Sequence, residues 1–394
     1  MLRLLFCLLC LASAQAQALD FKNYLSVDAR GGGVGVAGSG SSSLITGQFL
    51  GIPALKVGDA DTLSLMGLVS STNADHIISE DSFFVQRGTA LLRPSWRHSL
   101  NESLKSQLRG TAMRVANLEA VSQPWFSNPY DFEEYGLGLG MTRDSQAFGG
   151  NWSMGLGADV MHRGYPNYRD LTAGFTNGKN TATKDYDGFK LSLESRHSFS
   201  QGFGGRVAVS ELLKQYSDAY QVTDQGTVDL NDAKRRNEST LTLNVDGNTN
   251  AWAGASADAN IEVQVNSSSQ AYFDSSVNKF VADYYSYNSF SFSPSYTQPL
   301  GGAQSGHSVT AGYSVTLRNF GGRLARSSSG AYTSEKQSDL ENALTLDGRY
   351  ALFSHFTAVG GASLRSVSSN NQYDLGAKNN FTLYSLNLGL EYKL

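Results

Sequence analysis

Phe381-Thr-Leu-Tyr-Ser-Leu-Asn-Leu-Gly-Leu-Glu-Tyr-Lys-Leu394 is the stretch that decides the fold. Tyr384, Leu386, Leu388, Leu390, Tyr392 and Leu394 alternate in it with Ser385, Asn387, Gly389, Glu391 and Lys393. An extended chain turns successive side chains to opposite faces, so this period of two gathers the apolar groups on one face of a strand and the polar groups on the other.

The same alternation runs backward through the chain. Phe356, Ala358, Gly360, Ala362 and Leu364 form one apolar face. Leu340, Leu344, Leu346, Tyr350 and Leu352 form another, as do Val309, Ala311, Tyr313, Val315 and Leu317. Phe290, Phe292 and Tyr296 precede them, and Ala257 to Val265, Leu241 to Val245, Phe189 to Leu193 and Trp152 to Val160 continue the pattern. In Tyr135 to Met141 every second residue is glycine, and Gly88, Ala90, Leu92, Pro94 and Trp96 lie opposite Arg87, Thr89, Leu91, Arg93, Ser95 and Arg97. Forty-one glycines, 19 tyrosines and 20 phenylalanines against seven prolines, with a mean hydropathy of −0.28, suit amphipathic strands better than Leu-rich buried helices. Past the first residues no stretch is long and apolar enough for a transmembrane helix. A closed barrel is then the way to cross lipid with every backbone polar group paired.

Met1 to Ala18 reads as a signal peptide: Arg3 supplies the basic start, Leu4 to Ala12 the apolar stretch, and Ala14-Gln-Ala16 and Ala16-Gln-Ala18 the small-residue cleavage sites. Leu9 before Cys10 does not suit a lipoprotein signal. Cys7 and Cys10 both lie in the leader, so residues 19–394 carry no thiol for disulfide, metal or nucleophilic chemistry. Arg3 also leaves the count of 31 basic side chains, which stand against 35 acidic ones; that balance argues against a nucleic-acid partner.

Asn387-x-Gly389-x-x-Tyr392-x-Leu394 resembles the C-terminal signal by which the outer-membrane assembly machinery recognises β-barrel substrates, polar-x-Gly-x-x-apolar-x-aromatic, with Leu394 where Phe is usual. The resemblance implies a Gram-negative outer-membrane β-barrel, porin-like in size, with the assembly machinery and outer-membrane lipid as partners. It points to no particular family within that class.

The predicted fold is therefore all-β, a transmembrane antiparallel barrel over residues 19–394. Fourteen strands run from Leu63 to Leu394, and Phe21 to Gly35 with Leu44 to Val57 bring the number to sixteen. Pro53 sits badly inside a strand, so fourteen strands with residues 20–57 folded into the lumen is the alternative. Short turns near 101–103, 145–150, 200–204, 247–250, 301–306 and 354–355 alternate with polar loops at 116–131, 162–184, 217–237, 267–282, 320–336 and 369–380. Short periplasmic turns and long extracellular loops are the pattern of bacterial barrels, and this parity puts the C-terminus in the periplasm.

If the apolar faces meet lipid, the lumen receives Arg87, Arg93, Arg97, Lys105, Arg109 and Arg114 as a basic ladder. Arg114 is out of phase with Lys105 and Arg109 and needs a bulge or the strand end to turn inward. Asp258, Glu262, Glu341 and Asp347 supply acidic positions, with Arg349 and Arg365 among them. Opposed walls of this kind orient and sort polar solutes in a water-filled pore; in a plugged barrel the same charges pair to satisfy one another. The loop 116–131 takes the place of the third loop that constricts general porins, so Glu119 and Asp131 are expected to face the ladder, although the porin constriction motif is absent and an ordered exposed loop fits as well. His162-Arg-Gly-Tyr-Pro-Asn-Tyr-Arg-Asp-Leu171 reads as a girdle residue followed by a packed loop, or as a sugar- or peptide-binding cluster. The six histidines show no metal-ligand spacing, and no catalytic or cofactor motif is found. The expected function is a non-enzymatic channel for passive diffusion of small hydrophilic solutes. The rival is a non-conducting barrel that anchors a surface or trans-envelope complex through envelope protein partners.

Overall fold

In the computed structural model residues 20–37, 40–74, 86–118, 123–147, 149–168, 184–199, 202–221, 235–274, 278–302, 305–373 and 380–394 are described. Residues 1–18, the predicted signal peptide, lie outside them. Sixteen strands close into a barrel in chain order, each antiparallel to its neighbours. They are β1 (Asp20–Val36), β2 (Gly40–Val57), β3 (Asp61–Ala74), β4 (Gln86–Ser99), β5 (Leu104–Leu118), β6 (Phe132–Ala147), β7 (Gly150–Gly164) and β8 (Tyr186–Phe199). The circuit continues with β9 (Phe203–Tyr220), β10 (Arg235–Asn250), β11 (Ser256–Ser268), β14 (Tyr287–Leu300), β15 (His307–Arg326), β16 (Tyr332–Phe353), β17 (Phe356–Ser369) and β18 (Phe381–Lys393). A small hairpin, β12 (Tyr272–Asp274) with β13 (Lys279–Val281), stands apart in the loop between β11 and β14.

The first two strands are wall, so the sixteen-strand reading holds and the fourteen-strand alternative does not. β1 pairs with β2 from Asp20↔Lys56 to Val36↔Gly40 and with β18 from Ser26↔Lys393 to Val36↔Leu383, which closes the ring and leaves no open edge. Pro53 pairs with Asn23 on one side, while the ladder to β3 skips from Gly51↔Gly67 to Ala54↔Ser64. The missing N–H therefore interrupts one ladder only.

Alternation sets the two faces. Leu137, Leu139, Leu156, Leu193, Leu344, Leu386, Leu388 and Leu390 are exposed on the outside, where a soluble protein would show charge. Buried apolar groups gather instead at the extracellular strand tips, among them Val115, Leu118, Tyr186, Tyr216 and Phe320. At the periplasmic ends an aromatic girdle follows the rim: Trp152 beside His197, Phe199 beside Phe203, Trp252 beside Tyr296, and Phe356 between Phe353 and Tyr392, with ring centroids 4.9–5.8 Å apart. Tight periplasmic turns use glycine where φ is positive, 76° at Gly149 and 79° at Gly202.

Two loops differ from expectation. Most of 320–336 is strand, since β15 reaches Arg326 and β16 starts at Tyr332, across a register irregularity after Asn319. The described part of 116–131 does not cross the lumen. A Cβ placed on outward-facing Gly88 would stand 3.2 Å from the Trp125 ring, and the Arg114 guanidinium lies 3.8 Å from the centroid of Phe126. Apolar rings find their contacts on the outside of the β4 and β5 tips, and the loop follows them.

Candidate functional site

The inner wall is the face opposite the exposed leucines, and the register fixes which side chains reach it. On β4, Arg87, Arg93 and Arg97 share the inner parity. All three are exposed to the lumen, and none makes an ion pair with another described residue. Lys105 and Arg109 on β5 also face inward but are neutralised. Lys105 Nζ donates to Asp144 Oδ2 at 2.7 Å, and Arg109 grips both oxygens of Asp159 at 2.9 and 2.6 Å. The second pair spans β6, which is possible because Gly138 lies beneath it. A Cβ there would collide with the Asp159 carboxylate and stand 2.7 Å from Arg109 Nε.

Arg114 corrects the ladder. The β5–β6 register runs unbroken from Leu104↔Arg143 to Val115↔Phe132, so no bulge rotates Arg114 inward. It sits on the outer face with Nε 3.2 Å from Glu133. Asp131 does not face the ladder either. Its carboxylate accepts the backbone N–H groups of Asn117 at 2.6 Å and Asn128 at 3.0 Å, tying off the loop, while Glu119 falls outside the described residues.

From β8 to β11 the lower wall is a continuous charge network. Arg206 donates to Glu194 and Asp246, each at 2.8 Å, Asn260 donates to Asp246 at 2.6 Å, and Arg196 also pairs with Glu194. This wall borders a lumen cavity of ≈ 1150 Å³ that reaches Asp258 and Ser293. Higher up, Arg163 Nε donates to Glu134 at 2.9 Å, the rings of Tyr186 and Tyr216 lie 5.6 Å apart, and Tyr216 Oη donates to buried Glu238 at 2.9 Å. Glu238 also takes Lys214 at 3.3 Å and pairs with Arg236. The loop after β11 joins this cluster from above: Tyr285 lies 5.0 Å from the Arg236 guanidinium, and Gly321 N–H donates to Ser286 O at 2.8 Å. The stretch 116–131 meets the inward-facing Asn117, whose Nδ2 donates to Tyr130 O at 3.0 Å, whereas the loop after β11 covers a charged cluster.

The described start of the loop at His162, residues 162–168, packs rather than opening. Tyr165 lies against Phe132 and Tyr168 against Tyr130, with Lys184 Nζ 4.6 and 4.8 Å from the centroids of Tyr130 and Tyr168; residues 169–171 are outside the described set. Burial, and then the nearby Arg236 charge, lower the pKa of Lys184.

Across the ring, β11 stands seven strands from β4 in one direction and β16 six in the other. Their inner positions hold Asp258, Glu262, Glu341 and Asp347. Asp258 and Asp347 are exposed, whereas Glu341 accepts Arg365 at 2.7 Å. Arg349 pairs with Glu391, which also accepts Lys393 at 2.9 Å.

In the terminal segment Asn387 and Gly389 face inward and Tyr392 outward, its ring 4.9 Å from Phe356. Leu394 exchanges two backbone hydrogen bonds with Leu25, at 2.9 and 3.2 Å, so the last residue helps close the seam. A Cβ at Gly389 would stand 2.7 Å from Arg30 Cγ, which gives the glycine a packing role at that seam. Sequence reading missed the partners Asp144, Asp159 and Glu238. For Asp159 the alternate glycines of β6 were the available signal, because bare inner positions let long side chains meet across a strand. Among the described residues no group of three His, Cys, Asp or Glu side chains is placed to hold a metal ion.

No known family model matches the chain, and no curated protein does. Solved structures do. OprB of Pseudomonas putida aligns over 95% of this chain and 94% of its own, with a TM-score of 0.52 at 11% identity. The fold is that of an outer-membrane β-barrel. CdiB from Acinetobacter baumannii aligns over 93% of this chain and 60% of its own, with a TM-score of 0.49 at 10% identity. OmpT, an outer membrane protein of Vibrio cholerae, aligns over 96% and 100%, with a TM-score of 0.47 at 8% identity. The continuous apolar exterior and the periplasmic aromatic girdle suit this barrel to the outer membrane.

Proposed function

We propose that the barrel is a passive, non-enzymatic channel for small hydrophilic solutes, whose preference is set by the field between β4 and the acidic positions of β11 and β16. The observation that carries this reading is the exposure of Arg87, Arg93 and Arg97 on the inner face with no close ion pair among the described residues, Arg97 acting on Asp144 only at longer range. Three like charges along one strand are tolerable where water solvates them, and a water-filled lumen supplies it. In a lumen packed solid they would need carboxylates. Low-dielectric walls focus the resulting field and raise the local anion concentration.

A second reading draws on the upper cluster. The loop after β11 packs on Arg236 through Tyr285 and on Arg323 through Tyr284, and a barrel closed there would serve as an anchor for envelope protein partners. Reconstitution of the purified protein in a planar bilayer separates the two. The channel reading expects ohmic single-channel steps that prefer anions in a salt gradient. A preparation that shifts mobility on heating in a mild SDS gel, and so is folded, yet never conducts, overturns it.

A further inference from the structure

A recess of ≈ 280 Å³ opens on the inner wall where β18, β1, β2 and β3 meet at the seam. Thr46 and Gln48 on β2 and Ser70 and Thr72 on β3 line it in two adjacent rungs, Thr46↔Thr72 and Gln48↔Ser70. Its two charges cancel locally: Arg30 holds both oxygens of Asp28 at 2.9–3.1 Å. Asn387 completes the lining, and its Oδ1 is buried with no hydrogen-bond partner among the described residues. Among the described residues no aromatic side chain lines the recess, and no net charge faces it. What it offers is the hydroxyl and amide groups of Thr46, Gln48, Ser70 and Thr72 beside the apolar Leu44.

From these observations we propose that the recess is a binding subsite for an uncharged polyhydroxylated solute, with Thr46, Thr72 and Gln48 hydrogen-bonding its hydroxyls. Its size suits a single ring of a sugar-like chain, near the lower limit of small-molecule sites at about 300 Å³. The free arginines of β4 begin one strand beyond, since Thr72 pairs with Arg87, so the subsite borders the charged path without belonging to it. This assignment rests on the channel reading for its biological use but not for its chemistry, and the experiment keeps the two apart.

The probes are a short linear glucose oligomer and a polyethylene glycol of the same hydrodynamic size, which fills space but has few donors. Each is titrated calorimetrically into detergent-solubilised protein and, separately, added to the protein in a planar bilayer. The subsite predicts saturable heat with the glucose oligomer and none with the glycol, and, if the barrel conducts, a saturable reduction of current by the sugar alone. The double variant Thr46→Val, Thr72→Val keeps shape and charge and removes two hydroxyls, so affinity should fall by about tenfold while the heat-dependent gel shift is unchanged. Conductance without saturable sugar binding overturns the subsite alone, as does a folded double variant with unaltered affinity. Saturable binding without conductance supports the subsite and overturns the channel. Absence of both overturns both.

Discussion

Arg236 on β10 and Arg93 on β4 both project from the inner wall of one barrel. Arg236 pairs with Glu238, lies 4.3 Å from the Tyr216 centroid and is covered by Tyr285. Arg93 is exposed and meets no carboxylate among the described residues. The residue type is the same; what differs is the neighbourhood supplied by the adjoining strands, with the β9–β10 register breaking between Arg235 and Asn237 and the β3–β4 register running unbroken through Arg93. β9 and the loop after β11 bring Tyr216, Lys214 and Tyr285 to Arg236, whereas β3 offers Met66 beside Arg93. A charge enclosed by partners holds the wall in shape. A charge left to water is available to passing ions.

The strongest test of this contrast is Glu238→Ala. Glu238 accepts Tyr216 and pairs with Lys214 and Arg236 in a buried position, so its loss strands two cations in a poorly hydrated site. Breaking a buried pair in this way costs about 3–5 kcal/mol. Urea unfolding followed by tryptophan fluorescence, with the heat-dependent gel shift as a second readout, should show that loss. An unfolding midpoint equal to the wild type would place the upper cluster with the solvated charges and dissolve the comparison.

A smaller effect is expected at the glycines that let such pairs form. Gly138→Ala puts a methyl group into the Arg109–Asp159 pair and should destabilise by about 1–3 kcal/mol, as overpacking does. Gly140→Ala is its control. The nearest atom to a Cβ there is Leu156 O at 3.7 Å, ordinary contact, so the added methyl should be neutral or slightly stabilising. Equal midpoints for the two variants would show that bare inner positions on β6 are not what allows the cross-strand pair.

Much of the fold was legible because the decisive signal is local. A period of two needs no knowledge of partners, and it located β18, the polarity of the two faces and the inner placement of Arg87, Arg93 and Arg97. The exclusion of Arg114 was legible too, since an even-numbered residue cannot share a face with Lys105 and Arg109 on an unbroken strand. Pairing was harder to see. Arg109 and Asp159 are separated by 50 residues and by a whole strand, and only the register brings them together. Loop direction was set by contacts of the same distant kind, Trp125 with Gly88 and Tyr285 with Arg236. The stretch 320–336 reads as loop from Gly321, Gly322 and Ser327 to Gly330, yet pairing between β15 and β16 extends strand into it.

The smallest change in stability should accompany the clearest change in function. Arg93→Glu with Arg97→Glu reverses two exposed charges that form no close ion pair among the described residues, Arg97 acting on Asp144 only at longer range, so stability should change by no more than about 0.5 kcal/mol, as for solvated substitutions. In the channel reading the same variant removes part of the positive stripe on β4, and the reversal potential in a salt gradient should shift toward cation preference. The shift should shrink in molar salt, where the Debye length falls to about 3 Å and each fixed charge acts only on ions that touch it. Arg206→Gln is the partner experiment. Arg206 bridges Glu194 and Asp246, so its loss should lower stability; Glu194 keeps Arg196, and Asp246, left without a close cation, should move preference in the same cation-favouring direction. Stability therefore separates the two variants where selectivity does not. If Arg93→Glu with Arg97→Glu unfolds the barrel as readily as Arg206→Gln, the β4 arginines are structural, and the lumen beside them is packed rather than open.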